Sequence, residues 1–168
     1  MHVQQQTSSL FRSGHFTIEM QFDTLFPVWR TIVCQSSKLL AIQDEYAGKN
    51  GGGTTLGFAF DSGVIPCLYF TAIKCRDGPT RREALHLLQI YPRREGVWDS
   101  IVSAAVSAWV IDLEGQLEEG ADDVVPEEKR VSMTNVKFNL LERTVYMTCL
   151  QMDLETRSFV ERSHVHTW

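Results

Sequence analysis

Apolar residues recur at helical steps from Phe22 to about Tyr46. Phe22, Leu25, Phe26, Trp29, Ile32, Val33, Leu39, Leu40 and Ile42 are spaced mostly three and four apart, which predicts an amphipathic helix. Asp23 or Thr24 can cap it, and Pro27 falls in the first turn, where its missing N–H costs little. The chain turns densely apolar from Phe58, and Val64 to Ile73 predicts a buried helix with Pro66 in its first turn. Asp77-Gly78-Pro79 interrupts it. Thr80 and Glu83 then stand at capping-box spacing ahead of Ala84, Leu85, Leu87 and Leu88, and Asp77 and Thr80 compete to cap this helix. Pro92 ends it, because the residue before a proline is pushed out of helical geometry. From about Arg94 to Glu119, Trp98, Val102, Ala105, Trp109, Leu113 and Leu117 form one stripe, with Ser100, Ser103, Ser107 and Glu114 as a thin polar edge. Val106, Val110 and Ile111 are apolar too, so this helix is expected to be buried on most sides.

After Lys129-Arg130 the period drops to two. Ser132–Phe138, Thr144–Leu150 and Ser158–Arg162 are rich in β-branched and aromatic residues, with turn-forming stretches at Asn139 to Glu142 and Asp153 to Thr156. Three antiparallel strands in a meander follow. The expected fold class is therefore α+β: a helical domain of about four helices, then a small three-stranded antiparallel meander. Residues 1–21 read as a flexible arm, 22–57 as a first helix and a glycine-rich linker, and 58–168 as a helical domain with C-terminal strands. Lys49 precedes Gly51-Gly52-Gly53, whereas a phosphate-binding loop needs its lysine after the last glycine.

Charge narrows the function classes. The 16 Lys+Arg against 21 Asp+Glu give a net charge of −5, and a protein that grips a phosphate backbone unaided normally shows a basic excess. Autonomous nucleic-acid binding is not expected. No window reaches the ~20 apolar residues of a membrane span, so no membrane partner is expected either. Cys34, Cys67, Cys75 and Cys149 are widely spaced with no C-x-x-C pair, unlike a zinc ribbon or a disulfide scaffold. Three of them sit in apolar stretches and are expected to be buried thiols in a reducing compartment.

Candidate catalytic and metal sites fall away one by one. His164 and His166 share a strand face but supply only half a zinc shell, and a solvated tail is the expectation for them. His86, among leucines, is expected at the edge of the core with no nucleophile beside it. The carboxylates from Asp112 to Glu128 read as an acidic loop rather than a pocket that separates two pKa values. No catalytic, cofactor-binding or metal-ligating residue is assigned, and no cofactor is expected.

The informative stretch is Cys75-Arg76-Asp77-Gly78-Pro79-Thr80-Arg81-Arg82-Glu83-Ala84-Leu85, continuing through Pro92-Arg93-Arg94-Glu95-Gly96-Val97-Trp98-Asp99. Physically it is a charged corner between two helices, with Arg93, Arg94 and Glu95 lining the bend and Trp98 plugging the gap. It serves either to hold the helices in place or as a small basic patch for a partner or anionic ligand.

This stretch resembles the C-terminal regulatory region of fungal binuclear zinc-cluster transcription factors. The likeness lies in an apolar helix ending in Cys-Arg-Asp, an Arg-Arg pair opening an alanine–leucine helix, a Pro-Arg-Arg-Glu-Gly-x-Trp-Asp corner, and a long helix running into acidic residues. It covers roughly residues 58–168. The motif residues it marks, as structural or partner-binding positions, are Cys75, Arg76, Asp77, Arg81, Arg82, Arg93, Arg94, Glu95, Gly96, Trp98 and Asp99.

The resemblance implies a nuclear regulator of transcription, of the kind tied to fungal secondary-metabolite gene clusters, working through protein partners of the transcription machinery or a related regulator. The acidic loop with Val124 and Val125 is one expected contact. The DNA-reading module of such regulators holds two zinc ions on six closely spaced cysteines. No cysteine here precedes Cys34 and no basic run occurs, so the chain is expected to lack DNA reading, as a remnant of a longer regulator or a stand-alone relative. The alternative, with a cytoplasmic location, is a protein that binds a small apolar metabolite or an enzyme of a biosynthetic cluster.

Overall fold

The computed structural model describes residues 22–49, 57–59, 63–115, 124–139 and 141–168. The expected arm (1–21), most of the glycine-rich linker and the centre of the acidic loop, including Leu117 and Glu119, lie outside them. Four α-helices are described: α1 Phe26–Lys49, α2 Val64–Lys74, α3 Gly78–Ile90 and α4 Ser100–Leu113. A 3-10 turn, Phe22–Leu25, leads into α1.

The helices share one core. Val33 and Leu40 of α1 meet Ile65, Leu68 and Ala72 of α2, Ala84 and Leu88 of α3, and Ala104 and Ile111 of α4. The α1 stripe is narrower than its hydrophobicity suggests. Trp29, Val33, Ser36 and Leu40 are buried, while Leu25, Phe26, Leu39 and Ile42 are exposed. Trp29 Nε1 donates to the Phe22 carbonyl at 3.2 Å, which ties the 3-10 turn to the helix.

The C-terminal meander forms as expected: β4 Val131–Asn139, β5 Thr144–Asp153 and β6 Ser158–Thr167, in antiparallel order β4-β5-β6. Its turns are closed by the predicted residues. Asn139 Oδ1 accepts from the Leu141 and Glu142 amides, and Asp153 Oδ1 from those of Glu155 and Thr156. Val145 and Met147 of β5 pack against Val102 and Val106 of α4, so one sheet face lies on the most apolar helix.

The fold class needs one correction: there are two sheets. A second contains β1 Gly57–Ala59, β2 Arg93–Glu95 and β3 Trp98–Asp99. β1 pairs parallel with β2, and β2 antiparallel with β3. The helix expected to begin near Arg94 therefore starts only at Ser100. Gly96, at φ 56°, opens the two-residue turn of this hairpin, a backbone region that favours glycine.

The polar edge expected on α4 is also corrected. Ser100, Ser103, Ser107 and Glu114 are all buried. His86, expected at the core edge, is exposed. Of the cysteines only Cys75 and Cys149 are buried; Cys34 and Cys67 are exposed, and all four are free thiols.

Candidate functional site

The corner between α2, α3 and α4 gathers the motif residues, and nearly every one engages a helix end or an opposite charge. Asp77 wins the competition to cap α3. Its Oδ2 accepts from the Thr80 amide at 3.0 Å and from Thr80 Oγ1 at 2.5 Å. The capping box expected from Thr80 and Glu83 does not form, because Thr80 already lies inside the helix. Pro79 occupies the first turn, where an N–H has no helical partner to lose. Asp99 caps α4 in the same way, its Oδ1 accepting from the Ile101 and Val102 amides at 2.9 and 3.3 Å.

Glu95 caps a helix from far along the chain. It is buried, and its Oε2 accepts from the Gly63 and Ile65 amides, each at 3.0 Å, at the start of α2. Its Oε1 pairs with Arg93 Nε at 2.9 Å. Gly63 at the N-cap position has no side chain to do this itself. Arg93 Nη1 also donates to Gln43 Oε1 of α1 at 2.6 Å, and Arg94 pairs with Asp99 at 2.9 Å. Trp98 is half-buried, its ring 5.5 Å from Tyr69 and 6.1 Å from Phe70 of α2.

The remaining arginines pin segments that flank the acidic loop. Arg81 is fully buried; its Nε donates to the Ala72 carbonyl at 2.9 Å and its Nη1 to Glu114 Oε2 at 2.5 Å. Glu114 Oε1 in turn accepts from the Val131 amide at 2.8 Å, which joins the end of α4 to β4. Arg76 pairs with Asp23 at 2.8 Å and with Glu127. Its carbonyl accepts from the Val125 amide at 3.2 Å. Val125 is thereby buried and only Val124 is exposed, which corrects the expectation that both face a partner. Arg82 is half-buried. The corner is thus a mesh of caps and ion pairs, and its carboxylates already occupy the guanidinium groups that read as a basic patch.

Thiol chemistry has no foothold in the core. Burial pushes the Cys149 thiol up from its ordinary 9.0 to about 11, with the Glu114 charge adding to it, and burial likewise raises Cys75. A nucleophilic cysteine needs the opposite shift. Among the described residues no group of three or more His, Cys, Asp or Glu could hold a metal ion. None of the described helices is long and apolar enough to cross a membrane.

His164 and His166 do share a face, on β6 opposite Met147 and Val145, but they are not a frayed tail. The strand runs on to Thr167, and the His164 ring stacks on Trp109 of α4 with centroids 6.1 Å apart and planes 20° apart. An open groove of about 540 Å³ adjoins this pair, with Asp112 and Gln89 on its lining. Asp112, read with the acidic loop, instead lies in α4, one turn beyond its alanines, and Gln89, near the end of α3, carries no sequence motif.

The chain is similar to the aspercryptin biosynthesis cluster-specific transcription regulator atnN of Emericella nidulans, at 34% identity over 88 residues. The match takes in 49% of this chain and 14% of that regulator's length. No family model matches the chain, and no solved structure does.

Proposed function

We propose that the chain is a fungal transcription regulator-like protein that acts in the nucleus through protein contacts, related to the C-terminal regulatory region of zinc-cluster activators. The similarity to a cluster-specific regulator over half of the chain is the observation that carries this reading. The corner motif on which the resemblance rests supports it too, since its residues hold α2, α3 and α4 together. Nothing in the reading routes through DNA contact by these residues. The net charge is −5, and Arg76, Arg81, Arg93 and Arg94 are paired with carboxylates within the fold.

The test is transcript profiling after deletion of the gene, combined with tethering the chain to an unrelated DNA-binding domain upstream of a reporter. Altered transcripts of a co-regulated gene set, with a reporter response, are the expected outcome. Unchanged transcripts together with a silent reporter would reject regulation.

A further inference from the structure

The groove beside α4 takes no part in the corner and stands independently of the regulatory reading. Its floor is a run of small side chains, Ala104, Ala105 and Ala108, and one wall is the Trp109–His164 stack. Four side chains with hydrogen-bonding capacity, Gln89, Asp112, His164 and His166, converge on it. None of them makes a hydrogen bond or ion pair with another described residue. Their strand and helix supports are rigid, because Met147 and Val145 press this face of the sheet onto α4.

A concave, mostly apolar space with a few convergent polar groups is the usual form of a small-molecule site, and about 540 Å³ falls within the range such sites occupy. The alanines present a methyl surface, and the paired Trp109 and His164 rings form a wall. Among the described residues Asp112 is the only Asp, Glu, Lys or Arg on the lining, so the groove favours a positive charge at that end. We propose that the groove binds a small molecule with a flat apolar body and a basic nitrogen, the body lying on the alanines beside Trp109 and the nitrogen meeting the Asp112 carboxylate. The two imidazoles and Gln89 remain to hydrogen-bond polar substituents on the body.

Phenethylamine and its uncharged counterpart 2-phenylethanol are suitable probes, titrated into the full chain to about 20 mM, since fragments of this size bind weakly. The readout is the NMR signals of the His164 and His166 imidazoles and the Trp109 indole N–H. Saturable shifts confined to these residues are expected, with phenethylamine bound about fivefold more tightly, as befits an exposed charge pair. Asp112→Asn, on an exposed side chain, should abolish that preference while leaving 2-phenylethanol binding within about twofold. Ala105→Phe should fill the groove and remove both responses; should that variant not fold, the Asp112→Asn comparison decides. Absence of saturable shifts at these residues overturns the site. Equal binding of the two probes, or a preference that survives Asp112→Asn, overturns the assignment of a basic nitrogen.

Discussion

Arg81 and Glu114 lie 33 residues apart in the chain and meet at 2.5 Å with neither side chain more than 2% exposed. A buried pair of this kind is weak evidence for net stability, but removing one partner strands the other charge in the core. Glu114→Ala should therefore destabilise the chain by about 3–5 kcal/mol, a large part of the stability of an ordinary domain. Urea unfolding measures it. The double variant Arg81→Met with Glu114→Ala should lose less than the two single variants together; a loss equal to their sum would contradict the pairing.

The cap at the start of α3 gives a smaller effect. Asp77→Ala removes the acceptor for the Thr80 amide and hydroxyl and should cost about 1 kcal/mol. Asp77→Asn should cost less, because asparagine also caps. Glu83→Ala should be nearly neutral, since Glu83 is exposed and forms no capping box. Comparing midpoints of thermal unfolding distinguishes these variants.

Glu95 predicts a local signature as well as a global one. Glu95→Ala would leave the Gly63 and Ile65 amides without their acceptor and should cost about 3 kcal/mol, since hydrogen bonds to a buried charge are among the stronger ones. Hydrogen exchange at the Ile65 amide should accelerate more than exchange within α4. Equal acceleration in both helices would refute the capping role.

The four thiols should divide into two pairs. Cys34 and Cys67 are exposed and should react with a disulfide reagent in the native state, whereas Cys75 and Cys149 should wait for unfolding. Cys149 also sets an alkaline trend. Between its ordinary 9.0 and about 11 the unfolded chain loses this proton while the folded chain keeps it. Stability therefore falls as pH rises through that window. Cys149→Ala should flatten the fall measured by denaturant midpoints.

The elements that could be read in advance were those long enough to display a period. β5 alternates along its ten residues, β4 and β6 are nine and ten residues long, and the α2 helix declares itself by an apolar run. The second sheet could not be read this way, because its strands hold two or three residues and no period shows in so few. Its existence depends on pairing Gly57 with Arg93, a contact that no local pattern encodes.

Burial of Arg81 was legible in principle. Arg81, Ala84, Leu85 and Leu88 fall on one helical face, and all four are buried. An arginine on such a stripe demands a buried acid, but the sequence pattern puts Glu114 on a polar helix edge, and only the fold brings the two together. The exposed cysteines follow similar geometry. Cys67 and Phe70 point away from the face of α2 formed by Val64, Leu68, Thr71 and Ala72. The groove depended wholly on tertiary structure, since β6 and α4 approach only once the meander has folded back.

The long reach of Glu95 also bears on the order in which the chain matures. The first turn of α2 waits for a carboxylate 30 and 32 residues further on. At synthesis rates of about 5–20 residues per second, that interval is a matter of seconds. A ribosome that pauses when α2 has left its exit tunnel and Glu95 has not holds out an apolar helix whose leading amides are still open. The corner therefore acts as a latch that closes after α2 has formed, and codon changes that slow translation after Glu95, while it is still in the exit tunnel, should raise the aggregated fraction without altering a single amino acid.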